Sequence, residues 1–202
     1  MNNLIFISGY TTNTLYEKQI NEVLIPSFKK LNLKYWIKPF ESLGKWQKNS
    51  SNKINIIIEA LNTFSEDIVW IDADACIWQY PSLLFEISED LGFHILSWDK
   101  HFGGRSNRLE LLDGTLFVRN NDKTKLLLEE LKLNMANITS SHRPVLEKLL
   151  TKHPEITCFN LPWAYCYIST CPHGKTHHPI DNPVVEHYQL SRVARKIINS
   201  IK

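Results

Sequence analysis

The stretch Asp67-Ile68-Val69-Trp70-Ile71-Asp72-Ala73-Asp74 constrains this chain most. An apolar run of β-branched and aromatic residues stops abruptly at two carboxylates one residue apart. It reads as a buried strand that delivers two acids to its C-terminal tip. In open α/β sheets, ligands sit just beyond the carboxyl ends of the strands. Residues i and i+2 of an extended chain point the same way, so Asp72 and Asp74 face one site if the strand geometry persists that far. Two hard oxygen ligands suit Mg²⁺ or Mn²⁺, and either cation suits a diphosphate.

The flanking pattern supplies the rest of a sheet. Residues 4–8 (Leu-Ile-Phe-Ile-Ser) form another apolar run, followed by a Gly9-Tyr10-Thr11-Thr12 loop. Thr14 and Glu17 fit a capping box. Ile20, Leu24, Phe28 and Leu31 then mark a helix to about residue 31, kinked or broken at Pro26. Residues 33–37 read as a strand, and 39–51 as polar and irregular. Ile54, Ile57, Ile58 and Leu61 mark a helix before the acidic strand. Strand, helix, strand, helix, strand is a βαβαβ half of a doubly wound sheet.

Downstream, Pro81 opens a helix through about Ser88, residues 93–97 form a strand, and 98–113 read as a polar loop. A strand over 115–119 is entered through Asp113-Gly114. Asp122 caps a helix to about residue 133, and Pro144 opens another. Residues 156–160 and 184–188 are short strands. Val193, Ile197, Ile198 and Ile201 predict a terminal amphipathic helix.

The 202 residues are 43 % hydrophobic and 22 % charged, enough for one domain over 1–202 with a full core. The formal charge of +2 is well short of a nucleic-acid footprint. Nothing resembles a leader peptide or a membrane-spanning run, so the expectation is a soluble, cytoplasmic protein. Cys76, Cys158, Cys166 and Cys171 contain no C-x-x-C pair, and reduced thiols are the favoured reading over a zinc site with His173, His177 and His178. There is no G-x-x-x-x-G-K-[ST] loop, no G-x-G-x-x-G after the first strand and no G-x-S-x-G elbow. Phosphates must then be held by a metal with Arg or Lys. His187 offers the nitrogen that Mn²⁺ accepts more readily than Mg²⁺, and Arg192 offers bidentate phosphate contact.

Five blocks in order carry a family resemblance: the first strand with Gly9-Tyr10-Thr11; Trp46 with Asn49 and Lys53; Trp70 to Asp74 followed by Tyr80-Pro81; Asp113-Gly114-Thr115-Leu116-Phe117; and Glu186-His187-Tyr188-Gln189-Leu190-Ser191-Arg192. Together they resemble GT-A glycosyltransferases, in particular small phage and bacterial nucleotide-diphospho-sugar transferases. The resemblance implies a Rossmann-like mixed α/β fold, mainly parallel and flanked by helices, with a donor half at about 1–97 and an acceptor half at about 98–202. It implies a nucleotide-diphosphate donor, most simply a UDP-sugar, and Mn²⁺ or Mg²⁺ held by Asp72, Asp74 and His187. Tyr10, Thr11 and Trp46, beside Gly9, would hold the nucleoside. Ala73 lies between the acids, Gly114 and Thr115 would approach the sugar, and Arg192 or Lys53 would neutralise the diphosphate. Asp113 and Asp99 are the candidates for the base of an inverting reaction. Two departures stand out: relatives more often carry a small polar residue where Asp113 stands, and many have Asp-Gln where His142 and Arg143 stand.

The acceptor is a hydroxyl group. One option is a hydroxylated base in phage DNA, with Lys100, His101, Arg105, Arg108, Arg192, Arg195 and Lys196 meeting phosphates. The alternatives from other classes are a non-catalytic nucleotide- or glycan-binding module, and a zinc-stapled interaction protein using residues 158–178.

Overall fold

A computed structural model describes residues 3–102, 107–135, 142–169 and 180–190, the side chains of residues 101 and 102 excepted. Its central sheet contains β1 (Leu4–Thr11), β2 (Tyr35–Phe40), β3 (Asp67–Ile71), β5 (Leu91–Ser97), β6 (Leu109–Val118) and β7 (Cys158–Asn160). A smaller sheet contains β4 (Ala75–Ile77), β8 (Tyr167–Ile168) and β9 (Val185–His187). The spatial orders are β2-β1-β3-β6-β5-β7 and β4-β9-β8. In the large sheet only β6 runs against the others, pairing antiparallel with β3 and β5. The fold is therefore mixed α/β with a mainly parallel sheet, as the sequence predicts.

The continuous apolar runs follow from burial on both faces. Ile5 and Ile7 of β1 and Ile68 and Trp70 of β3 pack on one face against α3 (Trp46–Thr63), α5 (Asp122–Met135) and α6 (Arg143–Lys152). Leu4, Phe6, Val69 and Ile71 pack on the other, against Ile20, Leu24 and Phe28. Those three residues lie on a continuous helical stretch of α1 (Leu15–Gln19), a π-helical turn (Ile20–Leu24) and α2 (Ile25–Lys30). Pro26 does not break this stretch. It sits in the first turn of α2, directly after the π turn, and a wider turn accommodates a residue that lacks an N–H.

Several boundaries differ from the sequence expectations. Gly9, Tyr10 and Thr11 are not a loop but the end of β1, paired with Lys38, Pro39 and Phe40. Pro39 is tolerated because β2 is an edge strand. The helix expected from the middle of the 50s begins at Trp46. Asn49 accepts the Leu43 N–H at 2.7 Å, tying the preceding loop to a first turn whose exposed polar residues show no apolar stripe. The helix expected after Pro81 is one 3₁₀ turn (Ser82–Phe85). Beyond it, Arg119 donates to the Ile87 and Glu89 carbonyls and holds the chain in a non-helical path. The loop at 98–113 contains α4 (Trp98–Phe102) and the first half of β6, which continues through Asp113-Gly114. The terminal helix and the segment with Cys171, His173, His177 and His178 lie outside the described residues. No described helix is long and apolar enough to cross a membrane.

Phe117 is fully buried between the sheet and the Ile20–Phe28 layer. Phe117→Ala is expected to lower the unfolding free energy by about 3–5 kcal/mol in urea titrations. Leu126→Ala, at an exposed position on α5, is expected to change it by under about 0.5 kcal/mol.

Candidate functional site

The acids do not converge by extended-chain alternation. β3 ends at Ile71, and the Ala75 N–H donates to the Asp72 carbonyl at 3.1 Å, closing a turn over Asp72–Ala75. The chain then enters β4, which pairs with β9 in a register that sets Ala75 opposite His187. Beyond that ladder the Tyr188 N–H donates to the Asp74 carbonyl at 2.9 Å and the Leu190 N–H to Asp74 Oδ2 at 2.8 Å. The result is a group of Asp72, Asp74 and His187 whose ligand atoms all lie within 4.8 Å of one another.

Each member is oriented by a neighbour. Asp72 Oδ1 accepts from Trp70 Nε1 at 2.6 Å and lies 3.1 Å from Lys53 Nζ. Its other oxygen faces Gly114: a Cβ there would come within 3.3 Å of Asp72 Oδ2, 3.0 Å of His187 Nδ1 and 2.8 Å of His187 Cε1. Glycine is what lets the imidazole and the carboxylate close on this strand. His187 Nε2 is 3.1 Å from the Thr115 hydroxyl, so Nδ1 is the nitrogen that this contact leaves for a cation. Such a bond on the far nitrogen fixes tautomer and ring orientation in metal-binding histidines.

The electrostatics fit a cation. Burial, and then the charge of Asp72, push the Asp74 carboxyl up to about 7. Burial lowers His187 to about 4, so it is a neutral imidazole at neutral pH. A buried acid raised by burial and a neighbouring acid, beside a neutral imidazole, is a donor set suited to a divalent cation. The residues present fit Mn²⁺ or Mg²⁺.

Lys53 is buried behind this group. It donates to the Asp113 carbonyl at 2.8 Å, to Asp113 Oδ2 at 3.0 Å and pairs with Asp72, which engages all three ammonium hydrogens. Burial works against its charge, but the carboxylates of Asp113 and Asp72 outweigh it and raise its pKa. Burial also works against the Asp113 carboxylate, yet Lys53 and His142 hold it well below the usual range. His142 Nε2 bonds the same Asp113 Oδ2.

The structure brings some sequence candidates to this centre and not others. Gly9, Tyr10 and Thr11 end β1 at the same C-terminal end of the sheet, since β1 and β3 run parallel and Ile7 pairs with Trp70 two residues before Asp72. Ala73 is buried in the turn between the acids, and Trp46 opens α3, the helix that carries Lys53. Asp99 is exposed on α4. Ser97 pairs with Leu109, five residues along β6 from Gly114, or about 17 Å at strand rise. Asp99 is thus not gathered with the acids. Arg192 lies outside the described residues. Sequence reasoning missed the Trp70 indole as a partner of Asp72, although i and i+2 spacing pointed to it. It also missed the Thr115 hydroxyl as the partner of His187, for which no local pattern existed.

No known family's sequence profile and no curated protein matches the chain. Solved structures do. A glycosyltransferase involved in the glycosylation of the major capsid of PBCV-1 is similar over 98 % of this chain and 99 % of its own, with a TM-score of 0.66 and 14 % identity. Mouse xyloside xylosyltransferase 1 aligns over 94 % and 98 %, with a TM-score of 0.57 and 10 % identity. The glycosyltransferase GlyE of Streptococcus pneumoniae TIGR4 aligns over 93 % of this chain and 55 % of its own, with a TM-score of 0.55 and 15 % identity. The chain therefore has the GT-A fold found in these glycosyltransferases.

Two outcomes follow from the geometry. Asp74 binds a proton in the folded state between about pH 4 and 7 that the unfolded chain releases, so its contribution to stability is lost as pH rises through 7. His187 does the reverse: its contribution is present above its ordinary 6.5 and lost as pH falls through about 4. The two oppose each other in the metal-free protein. Asp74→Asn is expected to gain stability relative to the parent as pH rises from 4 to 7, measured by urea unfolding in the presence of chelator. Gly114→Ala is expected to displace His187 and weaken Mn²⁺ binding about tenfold or more in a metal titration.

Proposed function

We propose that the chain is a metal-dependent glycosyltransferase that moves a sugar from a nucleotide-diphosphate donor, UDP-linked in this reading, to a hydroxyl acceptor. The observation that carries it is the convergence of Asp72, Asp74 and His187 at the C-terminal tip of β3 in a GT-A fold. The imidazole in the set favours Mn²⁺ over Mg²⁺. When bound, the cation would supply Lewis-acid stabilisation of charge growing on the leaving diphosphate.

The chain's own residues divide the remaining work. Asp74, buried and held by the Leu190 N–H, and His187, held by Thr115, form the fixed side of the ligand set. Asp72, half-exposed, faces the donor. Tyr10 and Thr11, at the same end of the sheet, are proposed to hold the nucleoside with Trp46, and Arg192 to meet the diphosphate. The donor half is then residues 1–97. Lys53 has its ammonium hydrogens committed to protein groups, and its charge serves to fix Asp72. Asp113, paired with two basic side chains, suits a fixed negative charge rather than a proton acceptor. Asp99, exposed on α4 and away from the acids, suits acceptor contact in the half from 98 onward.

The other readings have less support. Of the cations in the DNA reading, Arg108 lies over the Trp98 ring and pairs with Glu110, while Arg105, Arg192, Arg195, Lys196 and the His101 side chain lie outside the described residues. Among the described residues, neither Cys158 nor Cys166 belongs to a group that could hold a metal, and Cys171, His173, His177 and His178 of the zinc reading lie outside them.

Thermal unfolding against a nucleotide panel tests the proposal. UDP or a UDP-sugar is expected to raise the midpoint only with Mn²⁺, by about 2.7 kcal/mol of stabilisation at a hundredfold excess over Kd. Asp74→Ala is expected to stay folded, lose that shift and lose donor hydrolysis. Full activity in this variant, or a shift that ignores Mn²⁺, would reject the reading.

A further inference from the structure

We propose that His142 is a positioning residue: through Asp113 and Lys53 it fixes the orientation of Asp72 and so tunes the affinity of the metal centre. The proposal rests on the functional reading above. His142 stands directly before α6, and its carbonyl accepts the Val145 and Leu146 N–H groups at 3.1 and 3.0 Å. Its backbone is thereby locked to the helix start, while its side chain makes no helix cap. The imidazole is instead 3 % exposed and turned onto Asp113.

The direction of the bonds defines a chain. An ionised carboxylate only accepts, so His142 Nε2 carries the proton and donates to Asp113 Oδ2. The same oxygen accepts from Lys53 Nζ at 3.0 Å, and the same ammonium reaches Asp72 Oδ1 at 3.1 Å. Three elements, the α6 start, β6 and α3, are thus tied to the tip of β3 by charged contacts. Lys53, Asp113 and His142 are each less than a tenth exposed. In such surroundings charge-assisted bonds are strong, and removing one partner disturbs the others.

His142 has no ligand atom in the Asp72, Asp74 and His187 group, so its effect is indirect. Its Nδ1 is buried with no hydrogen-bond partner among the described residues. The Asp113 bond is therefore what the described structure gives this imidazole to do. Without it, the Asp113 carboxylate keeps Lys53 and the charge of Arg143, and Asp72 shares a less constrained ammonium.

The test uses the full chain with Mn²⁺ alone as probe, bound ion being separated from free by electron paramagnetic resonance. Unfolding midpoints in chelator are recorded beside it. His142→Leu is expected to weaken Mn²⁺ binding about 10- to 100-fold, the range typical of groups that orient metal ligands. His142→Gln places an amide N–H near the Nε2 position and is expected to recover most of that loss. His142→Asn, too short to reach, is expected to behave like His142→Leu, and the Asn–Gln pair carries the test if the leucine variant does not fold. A folded His142→Leu or His142→Asn protein with parental Mn²⁺ affinity overturns the proposal, as does a glutamine variant no better than asparagine. Absence of Mn²⁺ binding in the parent protein removes the functional reading itself, and so is distinguishable from failure of the His142 step.

Discussion

Asp74 and Leu190 lie 116 positions apart, and a backbone N–H to carboxylate bond of 2.8 Å joins them. That bond extends the β4–β9 ladder, and the whole ligand set depends on it. A chain closure of this length costs little more than a shorter one, because loop entropy grows only with the logarithm of length. The closure is offset by burial of Ile77 and Val185 under the Phe6 and Phe28 layer. The register is as important as the pairing. A slip of one residue would turn the His187 side chain to the opposite face and replace an imidazole by Glu186 or Tyr188.

The site is built at some cost to stability. Gln189 adopts a φ of +53°, a left-handed conformation that side chains other than glycine rarely take. It lies between the His187 ladder position and the Leu190 N–H, where the chain must turn back onto Asp74. Asp74, Asp113, Lys53 and His187 are all nearly inaccessible to solvent. Lys53 and Asp113 balance each other, whereas at Asp74 burial and the like charge of Asp72 outweigh the charge of Lys53. Local strain and an unbalanced buried acid in one place are what a binding function retains against stability.

Much of this architecture was legible in the sequence. The apolar runs of β1 and β3 could hardly belong anywhere but a sheet buried on both faces, and the acids at the end of β3 follow from the same run. His187 is recognisable as a candidate ligand by residue type, but its position opposite Ala75 is long-range pairing that no periodicity encodes. Lys53 shows the same limit. A lysine on a helix reads as a free cation, and only the folded chain reveals that its ammonium hydrogens are taken by Asp113 and Asp72. The start of α3 was hidden because its first turn is polar and solvated, so tertiary anchoring through Asn49 decided what amphipathicity left silent.

The Asp113-Gly114 pair is the most instructive divergence. Asp-Gly is a turn signal, and the sequence reads as a strand over 115–119 entered through it. β6 instead passes through it, and the cores record what happens there. Leu111 and Leu116 pack in the same face cluster although they are five residues apart, a spacing that sets regular strand residues on opposite faces. The pairing with β5 also shifts between Gly92 and His94, at the same level of the sheet. The strand therefore carries a bulge, and the two glycine-adjacent residues serve opposite sides of it. Asp113 keeps the parity of Leu111 and meets Lys53 and His142 from α3 and α6. Thr115 takes the parity of Phe117, which packs on the other face, and meets His187. Gly114 lies between them with no side chain, where His187 and Asp72 close on the backbone. A regular strand would orient Asp113 and Thr115 alike and could supply only one of these partners. The flexibility that reads as a turn in sequence is used to let one strand hold both ends of the site.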